Sequence, residues 1–375
     1  MGLYFWVKDI LSRPAVGTVS RLLAAPLSGA GWAYGQAQAL RRWAYRRGWL
    51  RSEHPGVPVV SVGNITLGGT GKTPCVERIC RVLQTMGRRP AVLSRGYGGS
   101  ASRAGAVVGD GRRVLADWTA AGDEPVLLAR RLPGVPVLVG RDRRQAARRA
   151  VQDLGADALV LDDGFQHLRL ARDLDVVTID ARNPFGNGAC LPRGLLREDL
   201  RALADAGLVV LTRTRGLPEN RIAALRETVD RFAPGVPVLT AVHRAVGWIA
   251  PGGEGMLEIG ALEGEKVLAF AGIGNPPAFF EDLEALGLRV VDSVPFPDHH
   301  RFTAEDLDRL AEWGRLVNAS ALVTTEKDLV RLPQELPPGI PWLALRIELE
   351  LRPEGVLEAA LQRCLAPCSD DSGRV

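Results

Sequence analysis

A glycine turn ending in a lysine and a threonine, two adjacent carboxylates closing an apolar run, and a histidine pair in a proline-fixed loop are the chemistry-bearing features of this chain. The first is Gly68-Gly69-Thr70-Gly71-Lys72-Thr73. An apolar, β-branched run over residues 57–62 precedes it, and Val76, Ile79, Cys80 and Leu83 follow at helical spacing. The order is strand, glycine turn, helix. Glycine tolerates the backbone angles that let successive N–H groups curl round phosphate oxygens, and the helix that follows aims its positive end at the same anion. In such a loop Lys72 reaches the β/γ-phosphates and the Thr73 hydroxyl ligates Mg²⁺. The candidate nucleotide cradle therefore runs through Thr66, Leu67, Gly68, Gly69, Thr70, Gly71, Lys72 and Thr73. It departs from the pattern G-x-x-x-x-G-K-[ST] at Thr66, where glycine is usual. It is closer to a G-G-x-G-K-T variant, with Leu67 replacing the lysine that often opens it.

The second feature is Asp162-Asp163-Gly164-Phe165-Gln166-His167, after the apolar run 158–161. Adjacent carboxylates at a strand end are costly unless a cation or donors meet them, and a phosphate-loop enzyme uses such a pair to position Mg²⁺. The plainer alternative is an Asp-Gly turn. Arg95 opens a glycine-rich loop after the strand-like run 90–94, at the edge where open α/β sheets bind ligands. Asp123 precedes a helix expected through Arg131, and capping is its simplest role. His299 and His300 stand in Pro-Phe-Pro-Asp-His-His-Arg-Phe, residues 295–302, and are two of the chain's five histidines. The stretch 185–198 is too rich in glycine and arginine for a simple connector.

Strand and helix patterns alternate from 57 to 240, which predicts a doubly wound parallel sheet of the phosphate-loop NTPase kind. A second, smaller α/β series begins near 266, where Gly272 and Gly274 read as a helix cap and not as a second nucleotide site. Residues 238–249 and 342–351 have the pattern of two strands linking the series. The expected organisation is an N-terminal helical segment over 1–50, a nucleotide-binding domain over 51–240, a smaller domain over 241–350, and a helix with a disordered tail over 351–375. Lys+Arg total 47 against 43 Asp+Glu, and a net charge of +4 gives no argument for nucleic acid. Five cysteines without a C-x-x-C pair indicate reduced thiols in the cytoplasm. Residues 1–50 hold Tyr4, Phe5, Trp6, Trp32, Tyr34, Trp43, Tyr45 and Trp49 among seven Lys and Arg residues, with Asp9 as their only acid. No apolar run there reaches the ~18–20 residues of a bilayer span, and charges and Pro14 interrupt any secretory core. Aromatics with arginines on interrupted helices suit the headgroup region of an anionic leaflet.

Taken in order, these blocks resemble the tetraacyldisaccharide 4'-kinases, the lipid A kinases of Gram-negative bacteria. The motifs are Ser61-Val62-Gly63-Asn64 with the phosphate loop, Leu93-Ser94-Arg95-Gly96-Tyr97, Gly122-Asp123-Glu124-Pro125, Leu161 to His167, Phe296-Pro297-Asp298-His299 and Thr324-Thr325-Glu326-Lys327-Asp328. The resemblance implies transfer of the ATP γ-phosphate to the 4'-hydroxyl of a tetraacyldisaccharide 1-phosphate at the cytoplasmic face of the inner membrane. It implies Mg²⁺ held through Thr73, Asp162, Asp163 and Glu198, with Lys72 and Arg95 on the phosphates. It also implies Asp123 as the base and His299 as its partner, so that the site spans both domains. A phosphate-loop switch or metallochaperone-type ATPase is the competing reading, and it leaves the aromatic N-terminus without a task.

Overall fold

The computed structural model describes residues 18–252, 255–333 and 335–366. Expectations for residues 1–17 and for the tail beyond 368 lie outside the described residues. Helix α1 (Thr18–Arg46) runs unbroken through Pro26, where interrupted helices were expected. Gly31, Gly35 and Arg42 lie four and seven residues apart on its buried side. Gly31 lets the backbone approach closely, since a Cβ there would sit 2.7 Å from the Cys190 carbonyl oxygen.

The first α/β series comprises β1 (Val59–Gly63), α2 (Lys72–Thr85), β2 (Pro90–Ser94), β3 (Ala106–Asp110), α3 (Trp118–Ala121), α4 (Asp123–Arg131), β4 (Pro136–Val139), α5 (Arg143–Gln152), β5 (Ala158–Asp162), β6 (Leu174–Asp180), β7 (Leu208–Thr212) and α6 (Glu219–Phe232). The second comprises β8 (Val238–Ile249), β9 (Met256–Leu257), β10 (Lys266–Ala271), α7 (Pro276–Ala285), β11 (Arg289–Pro295), α8 (Ala304–Leu316), β12 (Ala321–Thr325), α9 (Glu326–Leu329), β13 (Trp342–Arg352) and α10 (Val356–Leu365).

One sheet contains every strand, in the order β11-β10-β12-β13-β8-β7-β6-β1-β5-β2-β4-β3, with β9 attached to β8. The pairings are parallel except β3 with β4, β8 with β13 and β8 with β9. Strands β1, β2, β5 and β7 are buried along their whole length, as their near-continuous apolar runs require in a sheet covered on both faces. Alternation still sorts their side chains. Val60 and Val62 join the core under α2, α4 and α10, whereas Val59 joins the core under α5. Separate cores under α7 and α8 serve the second series. The expected two-stranded connection exists as the antiparallel pair β8–β13. The change near residue 240 is therefore a change of core within a continuous sheet.

Candidate active site

Strand β1 ends at Gly63 because the next layer is in contact with it: a Cβ there would lie 2.5 Å from the Phe165 Cβ. The turn that follows is built from side chains as well as glycines. Asn64 Nδ2 donates to Thr70 Oγ1 at 3.0 Å, Thr70 Oγ1 lies 2.7 Å from Thr178 Oγ1, and Thr212 Oγ1 donates to the Thr70 carbonyl at 3.0 Å. Gly68 and Gly71 take φ of 107° and 78°, left-handed values that leave the loop open ahead of α2. Thr66 and Leu67, at the start of the expected cradle, also pair with a neighbouring segment. Thr66 forms an antiparallel bridge with Leu196, and the Leu67 N–H donates to the Leu195 carbonyl at 2.7 Å. A β-like clamp from 195–197 thus braces the part of the loop that leads into Gly68.

Asp162 is the last residue of β5 and is buried. Ser94 Oγ donates to its Oδ2 at 3.0 Å, while Oδ1 has no hydrogen-bond partner. Burial, with Glu124 and Asp163 adding negative charge, pushes the Asp162 carboxyl well up. Asp163 adopts φ of 53°, which turns it toward cations: Lys72 Nζ lies 3.5 Å from its Oδ1, and Arg197 Nη1 donates to both its oxygens at 2.9 Å. Against burial, Lys72 and Arg197 hold Asp163 below the ordinary range. A buried, unsatisfied carboxylate oxygen suits a small hard cation, and on that test Asp162 fits magnesium. Glu198 does not join them. Its Oε2 pairs with Arg42 Nε at 3.0 Å and with Arg42 Nη2, and no cluster of three acidic, histidine or cysteine residues able to hold a metal occurs among the described residues.

Asp123 and His299 come from the two series and meet: His299 Nδ1 lies 2.8 Å from Asp123 Oδ2. Asp123 is the first residue of α4, with Gly122 at the cap and its own Oδ1 accepting the Glu124 N–H at 2.9 Å. His299 adopts φ of 58°, and its N–H donates to the Gly272 carbonyl at 3.1 Å, which fixes the loop over the end of β10. Burial pushes the Asp123 carboxyl up, but the His299 hydrogen bond, Lys327 and Arg331 outweigh it and bring it down to about 2. The same bond raises the His299 imidazole against burial. His300 pairs instead with Asp306 at 3.0 Å and stacks on Phe296. Arg95 stands exposed at the end of β2, next to the serine that holds Asp162.

Four contributors lay outside the sequence expectations. Asn64, Thr178 and Thr212 brace the loop, and Arg331, fully buried, lies with its Nε 3.7 Å from Asp123 Oδ2. Of these, only Asn64 falls inside a motif noted beforehand.

The profile of the family described as tetraacyldisaccharide-1-P 4'-kinase matches residues 23–366. A tetraacyldisaccharide 4'-kinase from Anaeromyxobacter dehalogenans is 48% identical over 94% of each chain, and one from Geobacter sulfurreducens is 40% identical over 96% of this chain and 99% of its own. A crystal structure of LpxK from Aquifex aeolicus in complex with ATP superposes with a TM-score of 0.76 at 29% identity, covering 92% of this chain and 99% of that one.

Proposed function

The chain belongs to the tetraacyldisaccharide 4'-kinase family, and we propose that it performs that reaction with Asp123 as the base, His299 as its orienting partner, and Lys72 and Arg95 on the phosphates. It is a kinase that uses ATP to phosphorylate a hydroxyl of the lipid A disaccharide precursor. The switch or metallochaperone reading is not favoured by any relative named above. The observation that carries the residue assignment is the 2.8 Å Asp123–His299 contact across the two series.

In this reading the 4'-oxygen attacks the γ-phosphorus as the bond to the ADP oxygen breaks, and the hydroxyl proton passes to Asp123. A carboxyl held at about 2 is a weak base, but it is ionised at every working pH. Phosphoryl transfer through a loose transition state demands orientation more than basicity. His299, fixed by the Gly272 carbonyl, holds one oxygen of Asp123 and so presents the carboxylate in one direction. Lys72 offers positive charge to the developing phosphoryl oxygens and Arg95 supplements it from the neighbouring strand end. Thr73 and Asp162 would hold magnesium, which would supply charge neutralisation on the ATP phosphates. Helix α1 with the turn after it is the proposed contact with the membrane surface: Trp32 of the helix is 70% and Trp49 of the turn 73% exposed, and no helix among the described residues is long and apolar enough to cross a membrane. The cytoplasmic face of the inner membrane is where both substrates would be met.

The test is transfer from labelled ATP to tetraacyldisaccharide 1-phosphate in detergent micelles, with magnesium, for wild type, Lys72→Ala and Asp123→Ala. Lipid labelling is expected in wild type and lost by at least about 10²-fold in both variants. Undiminished labelling by Asp123→Ala would overturn its assignment as the base.

A further inference from the structure

The block Thr324 to Asp328 has no task in the reaction as described so far, yet each of its charged side chains is committed. Thr325 caps the short helix α9, its Oγ1 accepting from the Asp328 N–H at 3.1 Å. Asp328 pairs with Arg331 and accepts the Gly272 N–H at 3.0 Å, so it fixes the turn whose carbonyl accepts the His299 N–H. Glu326 lies 3.4 Å from Arg131 at the C-terminal end of α4. Lys327 reaches the other end of that helix, with Nζ 3.1 Å from Glu124, 4.0 Å from Asp123 Oδ2 and 3.7 Å from Asp298. One short helix of the second series thus grips α4 at both ends, with opposite charges at the two points.

We propose that Lys327 is a positioning residue of the transfer reaction: its ammonium, between Asp123, Glu124 and Asp298 and backed by the Arg331 guanidinium, holds the Asp123 carboxylate in place against His299. The proposal rests on the reading of Asp123 as the base. The groups facing Asp123 are His299 and Asp298 from the loop after β11, Lys327 from α9, Arg331 from the turn after it, and Glu124 from its own helix. Arg331 cannot substitute for Lys327. It is engaged with Asp328 and with the Gly272 carbonyl at 2.9 Å, and its Nε has no hydrogen-bond partner even though Asp123 lies 3.7 Å away. Without the ammonium, the Oδ2 of this buried carboxylate is held only by an imidazole from an exposed loop and faces a guanidinium committed elsewhere.

Lys327 also bears on both groups of the pair in one direction. It lowers Asp123 and it lowers His299, so its removal moves both titrations to higher pH. The experiment is the pH profile of kcat for wild type, Lys327→Met, Lys327→Arg and Asp123→Asn, with thermal unfolding and the KM for ATP measured alongside. For Lys327→Met a loss of roughly ten- to a hundredfold at neutral pH is expected, with both limbs of the profile displaced upward, KM for ATP within about twofold of wild type, and partial recovery in Lys327→Arg. A profile of unchanged shape in Lys327→Met, with activity following only its thermal stability, would overturn the positioning role while leaving Asp123 as the base. Retained activity in Asp123→Asn would remove the underlying reading itself.

Discussion

At the scale of single residues, the Asp123–His299 pair makes a pH signature in stability as well as in rate. Asp123 is held at about 2 against an ordinary 3.8, so its contribution is present above 3.8 and is lost as pH falls through the folded value. His299 is raised above its ordinary 6.5, so its contribution is complete below 6.5 and is lost as pH rises through the folded value. The two shifts are opposite ends of one hydrogen bond and count once. The stabilisation is therefore a plateau between about pH 4 and 6.5 that declines on both sides. Urea unfolding of wild type and His299→Ala across pH 3 to 9 should differ by about 1 kcal/mol on that plateau, a figure already discounted for the half-exposed imidazole. A difference that does not vary with pH would mean that the imidazole contributes packing and not charge. Neither half of the pair was legible from spacing alone. Asp123 reads locally as a helix start and His299 as a loop histidine, and the contact between residues 176 positions apart was implied only by the family resemblance.

Among elements, what was legible is what local chemistry writes into neighbouring residues. The strand–glycine turn–helix order needs Gly68 and Gly71 at left-handed φ, and a glycine demanded by the backbone is visible in any sequence. Full-length burial of β1 and β5 is visible for the same reason, as unbroken apolar runs. The assignment of Glu198 was displaced because its partner comes from α1. Arg42 is buried, pairs with Glu198 and Asp205, donates to the Phe165 carbonyl and lies 4.4 Å over the Phe165 ring. Arg41 donates to the Gln166 carbonyl beside it. No local signal distinguishes these two arginines from solvated ones. They secure α1 to the carboxylate turn, and Gln166 passes the contact on to the Asn64 carbonyl at 2.9 Å. Arg42→Ala leaves Glu198 buried without its guanidinium, and a cost of about 3–5 kcal/mol is expected in chemical denaturation. Arg42→Lys keeps the charge but not the two-pronged donor, and should recover half of it or less. Equal stability of wild type and Arg42→Ala would show that α1 is held by its glycine face alone.

Across the whole molecule, the two series are joined in the sheet by the β7–β8 pairing and share one core, where Leu349 and Leu351 of β13 and Leu361 of α10 pack with Val60 of β1 and Ile79 of α2. Buried polar ties add to these. Arg131 is the densest of these. From the end of α4 it lies 3.0 Å from Glu77 of α2 and 3.4 Å from Glu326 of α9, and it donates to the Ile347 carbonyl of β13. Both carboxylates are buried, and burial pushes the Glu326 carboxyl up even with the guanidinium beside it. Replacing Arg131 by methionine keeps the apolar stem but strands the buried Glu326, while Glu77 keeps Arg81 at 2.9 Å, a change expected to cost about 3 kcal/mol. Its effect should also be uneven: with the tie removed, the second series can open while the doubly covered strands of the first remain folded. Denaturant unfolding of Arg131→Met is then expected to be broader than that of wild type, with a separate transition or a reduced m-value. Transfer should fall while ATP binding persists, because the phosphate loop is braced within the first series and the His299 loop belongs to the second. Adding Glu326→Gln to Arg131→Met removes the stranded charge and should return most of the stability without returning the transfer rate. Recovery of both together would mean that the guanidinium only neutralised the acid beside it, and that the β7–β8 pairing and the shared core keep the halves in register unaided.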